Sequence, residues 1–178
     1  KGRRGRAWCT PKGSAIAMTI VLRPDIRPEL ASMVTLVMGL SVAKAIGSLY
    51  PVSVGIKWPN DVVVNGKKIC GILTEMSAEM TGIHYLVIGT GINTNVEEFP
   101  EEIQSVATSL IKELGEKVNR AELIAACLKY FEEYYEKYIA AGNLAPLKED
   151  YEALLLNRNN KVRVLEPNHE YTGLSLGI

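Results

Sequence analysis

The sequence predicts an α+β domain in which a mixed β-sheet packs against helices. The first observation is a strand–turn–strand pattern over 62–74, centred on Asn65-Gly66. This dipeptide is a strong hairpin signal, because both central positions of a type I′ turn need positive φ. The second is the segment 29–49, which is apolar nearly all round and therefore typical of a helix buried against a sheet. The third is the segment 119–141, whose apolar residues recur at helical spacing.

Turn and capping residues place the remaining elements. Pro28 suits the first turn of the long helix, because its missing N–H is not needed there. Asn119, with Glu122 three residues later, predicts the start of the second long helix, and Gly142 predicts its end. The other predicted elements are strands over 14–22, 85–92, 161–165 and 170–176, and helices over 103–114 and 147–155.

Composition limits the class of protein. The chain has 178 residues, of which 47% are hydrophobic and 22% charged, which suits one globular domain or slightly more. Lys+Arg and Asp+Glu both number 20, so the net charge is zero, which argues against broad capture of nucleic acid or of an anionic membrane. Three cysteines without metal-ligand or redox spacing, and no signal peptide, predict a cytoplasmic protein with free thiols.

The predicted hairpin is also the richest candidate site. Lys57, Asn60 and Asp61 come before its first strand, Lys68 follows the turn, and Gly71 interrupts the return strand. A glycine inside a strand often marks the close approach of a ligand or of another backbone. Cations, a carboxylate and a glycine on one short hairpin therefore predict a floor for an anionic ligand.

Three stretches together resemble the biotin–protein ligase family. Lys57-Trp58-Pro59-Asn60-Asp61, followed by Lys68 and Gly71, resembles the core motif of that family. Lys1-Gly2-Arg3-Arg4-Gly5-Arg6-Ala7-Trp8 resembles the later part of its glycine- and arginine-rich loop. Gly89-Thr90-Gly91-Ile92-Asn93 resembles the end of one of its strands. The resemblance covers nearly the whole chain and implies a catalytic domain related in fold to class II aminoacyl-tRNA synthetases.

The resemblance also implies a domain organisation. Residues 1–156 would form the catalytic domain, whose first part lies before residue 1, and residues 157–178 would begin a small SH3-like β-barrel that is completed after residue 178. The chain begins inside a motif without an initiator methionine and ends in a strand-like stretch. In the family, the segment before the loop supplies further residues to the biotin pocket. A helix-turn-helix domain before residue 1 would make the protein a biotin-dependent repressor.

The reaction that the resemblance implies is the activation of biotin by ATP, with Mg²⁺, to biotinyl-5′-AMP and pyrophosphate. Biotin then passes to a lysine of a biotin carboxyl carrier protein. The first step brings a carboxylate against a phosphate, so the site needs fixed positive charge. Lys68 and Arg3 are implied as the catalytic cations, and Asp61 and Asn60 as the magnesium ligands. Biotin contacts are implied at Lys1, Gly2, Arg3, Lys68, Gly71 and Gly89, and ATP contacts at Arg3, Arg6, Trp8, Lys68, Gly91 and Asn93.

Each motif by itself has a plainer interpretation. Lys68 could be a solvated hairpin lysine, Asn60 could form an Asx turn, and Trp8 could be an ordinary core residue. The glycine- and arginine-rich start could be an RNA-binding tail, which predicts steep salt dependence. A lipoate or other acyl-carboxylate ligase on the same scaffold is a second enzyme hypothesis, and the repressor is a third. The sequence leaves open whether the protein is a homodimer and which carrier it serves.

Overall fold

The structure is a computed structural model, and it describes residue 8 and residues 10–79, 82–165 and 169–178. Its main element is a five-stranded sheet in the order β1-β5-β4-β3-β2, in which every ladder is antiparallel. Among the described residues, parallel pairing occurs at two isolated bridges, Ile56 with Leu155 and Lys68 with Ala107. The strands are β1 (Ala15–Leu22), β2 (Val54–Lys57), β3 (Asp61–Val64), β4 (Lys67–Glu79) and β5 (Gly82–Asn93).

One face of this sheet is covered by a buried helix, α1 (Val34–Leu49). A 3-10 turn over Pro28–Met33 precedes α1, so the predicted long helix is α-helical only from Val34. Within the described residues, the stretch Pro28–Leu49 has the length and hydropathy of a membrane span, and 67% of its most apolar part is buried inside the domain. This burial is what the all-round apolar pattern predicts for a core helix.

A second long helix, α3 (Arg120–Ala141), packs on α1 and has both predicted ends. The Oδ1 atom of Asn119 accepts hydrogen bonds from the N–H groups of Ala121 and Glu122, at 3.0 and 3.4 Å. Gly142 ends the helix at φ 64°, a conformation that glycine adopts without steric cost. The hydroxyl of Tyr138 donates to the carbonyl of Leu30 at 2.7 Å and joins α3 to the turn before α1.

The predicted hairpin is confirmed. Asn65 and Gly66 have φ of 50° and 79°, as a type I′ turn requires. β4 continues past the predicted end at Thr74 to Glu79, because it pairs with β5 along that whole length. Between β2 and β3, the Trp58–Pro59 peptide bond is cis.

The predicted helix over 103–114 is wrong in its first half. Only α2 (Leu110–Leu114) is helical, and residues 101–106 form turns. The reason is a competing set of main-chain bonds: the N–H of Lys68 donates to the carbonyl of Val106 at 2.8 Å, and the N–H of Thr108 donates to the carbonyl of Lys68 at 2.9 Å. These groups therefore cannot close helical turns.

The last part of the chain forms α4 (Lys148–Leu154), after a 3-10 turn over Ala145–Leu147, and then a two-stranded antiparallel sheet. Its strands, β6 (Lys161–Leu165) and β7 (Glu170–Leu174), lie where the sequence predicts the start of a barrel. The chain then returns to α4, where the buried carboxylate of Glu152 accepts a hydrogen bond from the N–H of Ile178 at 3.2 Å. The same carboxylate lies 3.2 Å from a guanidinium nitrogen of Arg158.

Candidate active site

The centre of the site is an ion pair on the predicted hairpin. The Nζ of Lys68 lies 2.6 Å from Oδ1 of Asp61, and the two side chains are 46% and 23% exposed. A pair with this exposure contributes about 1 kcal/mol or less to stability, because water screens the charges. Lys57 is paired directly opposite Asp61 on β2, so that it projects to the same side of the sheet. The hairpin therefore places charged side chains together although they contribute little to the stability of the fold.

Gly71 makes room for this ammonium group. A Cβ atom at residue 71 would lie 3.2 Å from Nζ and 3.3 Å from Cε of Lys68, and 3.9 Å from Oδ1 of Asp61. The backbone of Gly71 is not in the left-handed region, so the need for glycine here is one of space. The lysine lies over a bare stretch of backbone, which matches the close approach that the sequence predicts.

Glycines continue across the sheet on the same side. Residues directly opposite in an antiparallel sheet, and residues two apart in one strand, project to a common face. We call this side, opposite α1, the open face; it is exposed at Ala17, Thr19 and Val21. Its first row holds Asp61, Gly71, Gly91 and Ala17, and its second row holds Leu73, Gly89 and Thr19.

Trp8 lies on the open face at Gly91. A Cβ atom at residue 91 would meet the indole ring at 3.0–3.2 Å, and the indole Nε1 donates to Oδ1 of Asn93 at 3.4 Å. The Nδ2 of Asn93 donates in turn to the carbonyl of Thr108 at 3.1 Å. Asn93 is 8% exposed and both ends of its amide are engaged, so it holds Trp8 and Thr108 in place. Neighbouring strands are about 5 Å apart, which puts this group next to the lysine at Gly71.

Asn60 and Asp61 are the predicted magnesium ligands. The Nδ2 of Asn60 donates to the main-chain carbonyl of Ile72 at 3.1 Å, and the main-chain carbonyl of Asn60 accepts a hydrogen bond from the N–H of Ile72 at 2.9 Å. Asn60 therefore also fixes the turn before β3. The described residues contain no group of three or more His, Cys, Asp or Glu arranged around a metal site. Magnesium beside a nucleotide is commonly held by one or two carboxylates together with phosphate oxygens. The oxygens of Asp61 and Asn60 fit that ion in the company of a nucleotide.

A family model and several known proteins match this chain. The model of the biotin/lipoate A/B protein ligase family matches residues 1–93, slightly more than half of the chain. The chain belongs to this family. The match includes the hairpin with Lys68 and Gly71 and the strand that carries Gly91 and Asn93, so the resemblance seen in the sequence is confirmed.

Individual relatives of this chain are ligases by name. A bifunctional ligase/repressor of Bacillus subtilis is 38% identical over the whole of this chain and 55% of its own length. A biotin–[acetyl-CoA-carboxylase] ligase of Mycobacterium tuberculosis is 33% identical over 94% of this chain and 61% of its own length. The chain thus spans little more than half the length of these curated relatives.

Solved structures agree on the fold. A biotin protein ligase of Aquifex aeolicus, in complex with biotin and ATP, has a TM-score of 0.85 and 30% identity, over 100% of this chain and 73% of that chain. A second structure of the Aquifex enzyme gives a TM-score of 0.81 at 31% identity, over 93% of this chain and 71% of that one. These likenesses confirm the predicted fold class, an α+β ligase catalytic domain.

The structure brings together the predicted site residues that it describes. Lys68, Asp61 and Gly71 are in contact, Trp8 touches Gly91 and Asn93, and the two groups share one row of the sheet. Gly89 lies in the next row, where, within the part of the chain that the structure describes, a Cβ atom would meet only the carbonyl of Leu73, at 3.6 Å. The predicted contacts of the glycine- and arginine-rich loop lie outside the described residues. They are Lys1, Gly2, Arg3 and Arg6.

Sequence reasoning missed one element of the site, residues 106–108, which we call the bridging segment. Its main chain forms hydrogen bonds with the main chain of Lys68, and the carbonyl of Thr108 accepts a hydrogen bond from the side-chain amide of Asn93. A local signal existed: Val106 and Thr108 are β-branched, and Ser109 is a natural residue before a helix. The apolar spacing of 103–114 concealed it, although Ile103 and Val106 are 43% and 61% exposed.

Cys70 precedes Gly71 but does not take part in the site. It points to the opposite face and is 1% exposed. Burial is the main cause that raises the pKa of its thiol well above the usual range, and the nearby Cys127 adds to it. Burial also raises the pKa of Cys127 to about 12. Both thiols therefore stay protonated at neutral pH, and Cys70 is no nucleophile.

A cavity of about 530 Å³ borders the site at Asn60. It lies between the start of α1, the turn before β3 and the last residues of the chain, and neither Lys68 nor Gly91 lines it. The residues that line it include Ser32, Thr35, Trp58, Asn60, Thr74 and Ile178.

Proposed function

We propose that this chain is the catalytic part of a biotin–protein ligase. It would activate biotin with ATP to biotinyl-5′-AMP and pyrophosphate, and then transfer biotin to a lysine of a carrier protein. The observation that carries the proposal is the position of the Lys68 ammonium over Gly71, which is paired with Gly91, the residue against which Trp8 lies. The names of the Bacillus and Mycobacterium relatives, and the biotin and ATP in the Aquifex complex, support it.

In the first step, a carboxylate oxygen of biotin attacks the α-phosphorus of ATP. The new bond joins that oxygen to phosphorus, and the bond from phosphorus to the bridging oxygen of pyrophosphate breaks. Both reactants are anions, so the barrier falls when a fixed cation lies between them. Lys68 supplies that cation after exchanging the carboxylate of Asp61 for the biotin carboxylate and the α-phosphate of ATP. Gly71 and Gly89 provide a floor without side chains along which biotin lies.

The nucleotide occupies the neighbouring end of the open face. The indole of Trp8 is 39% exposed, and its outward side offers a stacking surface for adenine. Gly91 lets the ring lie close to the strand, and Asn93 holds the indole N–H. Arg3 and Arg6 would bind the phosphates, because a guanidinium group matches phosphate oxygens in a bidentate way. Lys1 and Gly2 would complete the biotin contacts.

Magnesium would be held by Asp61 and Asn60. When bound, it would neutralise the charge of the triphosphate and of the departing pyrophosphate. Asp61 would thus pair first with Lys68 and then with magnesium. This double role explains why a carboxylate lies beside the catalytic lysine although the ion pair adds little to stability.

In the second step, the amine of the acceptor lysine attacks the carbonyl carbon of the mixed anhydride. An amide bond forms, the bond from carbon to the phosphate oxygen breaks, and AMP leaves with that oxygen. We assign residues 1–156 to the catalytic domain and 157–178 to the start of an SH3-like domain, a division supported by the separate two-stranded sheet of β6 and β7. A biotin carboxyl carrier protein as the partner and a cytoplasmic location belong to the same proposal.

Biotin-dependent exchange of labelled pyrophosphate into ATP tests the proposal. The full-length protein should show exchange with biotin and little with lipoate. Exchange with lipoate alone would favour the second family substrate, and no exchange with either would contradict the proposal. Since the Bacillus relative is named a ligase/repressor, DNA binding in the presence of biotin and ATP is the measurement for a second, regulatory role.

A further inference from the structure

The bridging segment, residues 106–108, connects the two halves of the candidate site. Its main chain binds both the N–H and the carbonyl of Lys68, at 2.8 and 2.9 Å. The carbonyl of Thr108 also accepts the amide of Asn93, which in turn holds Trp8. A displacement of Thr108 would therefore move the lysine and the tryptophan relative to each other.

One side chain fixes this segment from outside the site. Glu113, on α2, accepts the hydroxyl of Thr108 at Oε1 and the Nδ2 group of Asn65 at Oε2, each at 2.5 Å. Asn65 belongs to the hairpin turn and precedes Lys68 by three residues. The carboxylate thus ties the turn that carries the lysine to the segment that borders it.

These bonds account for the position of Glu113 better than an ion pair does. Among the described residues, no lysine, arginine or histidine nitrogen forms a salt bridge with it. Hydrogen bonds to a charged acceptor are also stronger than neutral ones, so the pair of donors is held firmly. Asn65 is already constrained by its positive φ in the turn, and its amide is therefore presented in a fixed direction.

From this network we propose that Glu113 is a positioning residue for adenylate formation. It touches neither substrate, and it sets the distance between the ammonium of Lys68 and the nucleotide end of the open face. The inference rests on the proposed function. Because small misplacements of reacting groups are costly, we expect loss of Glu113 to lower catalysis without abolishing substrate binding.

The test uses pyrophosphate exchange by the full-length protein carrying Glu113→Ala, Glu113→Gln or Thr108→Val. Glutamine keeps one acceptor for the Thr108 hydroxyl, and its NH₂ can donate to the Asn65 side chain once that amide turns over. We expect Glu113→Ala to lower kcat by about 10-fold with the KM for biotin within about 2-fold, and Glu113→Gln to restore most of the rate. Adding Thr108→Val to Glu113→Ala should cause little further loss, since Glu113→Ala has already removed the bond between these two side chains.

Glu116→Ala is the matched control, because Glu116 is exposed nearby and carries the same charge. A rate for Glu113→Ala equal to that of Glu116→Ala would overturn the inference, as would equal losses in the alanine and glutamine variants. A fall in kcat that simply follows a fall in the thermal midpoint would also overturn it. If the wild-type protein shows no exchange with biotin, the proposed function itself has failed, which is a different result.

Discussion

The two faces of the five-stranded sheet are built from alternate residues of the same strands, yet they carry opposite kinds of side chain. On β5, Ile88 and Ile92 are fully buried on the core face, whereas Gly89 and Gly91, between them, face the other way. On β4, Ile72 touches α1 at Gly39, where a Cβ atom would lie 3.7 Å from it, while Gly71 lies under the lysine.

Within a single strand, the residues on the core face therefore contribute to stability, and those on the open face are available for binding. Aliphatic side chains on the core face remove apolar surface from water, which is the main favourable term in folding. The open face has glycines in place of apolar side chains, which leaves room for ligands along the backbone. Substitutions on the two faces should therefore affect different measurements, and the following variants test that separation.

The largest expected effect is on activity, from Lys68→Ala. We expect biotin-dependent pyrophosphate exchange to fall by about 10³-fold, because the variant removes the cation between two anions. Its thermal midpoint should change little, since the ion pair is partly exposed. Lys67→Ala is the matched control, a neighbouring exposed lysine on the same hairpin. Equal losses in both variants would contradict the special place of Lys68.

The next effect should appear in stability. Ile88→Ala, on the core face, should lower the free energy of unfolding by about 3 kcal/mol, because it leaves a cavity at a fully buried position. Urea unfolding measures it, and the KM for biotin and ATP should be unchanged in the folded enzyme. Val87→Ala, the adjacent residue on the open face, is the control and should cost less than about 1 kcal/mol. A larger cost at Val87 than at Ile88 would reverse the assignment of the faces.

Gly71→Val should lower activity more than stability, which is the reverse of the result expected for Ile88→Ala. Its Cβ would lie 3.2 Å from the ammonium of Lys68, so the lysine must move, and we expect exchange to fall by about 10²-fold. Stability should fall little, because valine suits a strand with ordinary φ. In the control, Gly173→Val on β7, a Cβ atom would meet no atom of the described residues within 4 Å, and activity should be retained. Unchanged exchange in Gly71→Val would argue against close approach at this position.

A smaller effect is expected from Trp8→Ala. Loss of a stacking surface commonly costs about 1–3 kcal/mol for a base. We therefore expect the KM for ATP to rise by about 10-fold, while the KM for biotin stays within about 2-fold. Trp58→Ala is the control, since Trp58 is also exposed, at 55%, but lines the cavity beside the start of α1. Equal changes in both KM values for Trp8→Ala would show that adenine does not stack there.

Local signals were sufficient where one residue type decides the geometry. Asn65-Gly66 predicts a turn that needs two positive φ values, Asn119 predicts a helix start with free N–H groups, and Gly142 predicts its end; the structure confirms all three. The grouping of Lys68, Gly71, Gly91 and Asn93 came from family motifs, because no local rule brings distant strands into register.

Long-range pairing explains what the sequence did not reveal. The bridging segment forms its bonds with Lys68, some forty residues earlier in the chain, and these bonds displace the helix that local spacing favours over 103–114. Glu113 looks like an ordinary helix glutamate in the sequence. Its contact with Asn65 arises only when α2 packs beside the hairpin turn.

The most direct measurement is a crystal structure of the full-length protein with biotin and a non-hydrolysable ATP analogue. We expect Nζ of Lys68 to lie within about 3 Å of both the biotin carboxylate and an α-phosphate oxygen, with biotin along Gly71 and Gly89. Ligands bound instead in the cavity beside Trp58 and Thr35, with Lys68 still paired only to Asp61, would contradict it.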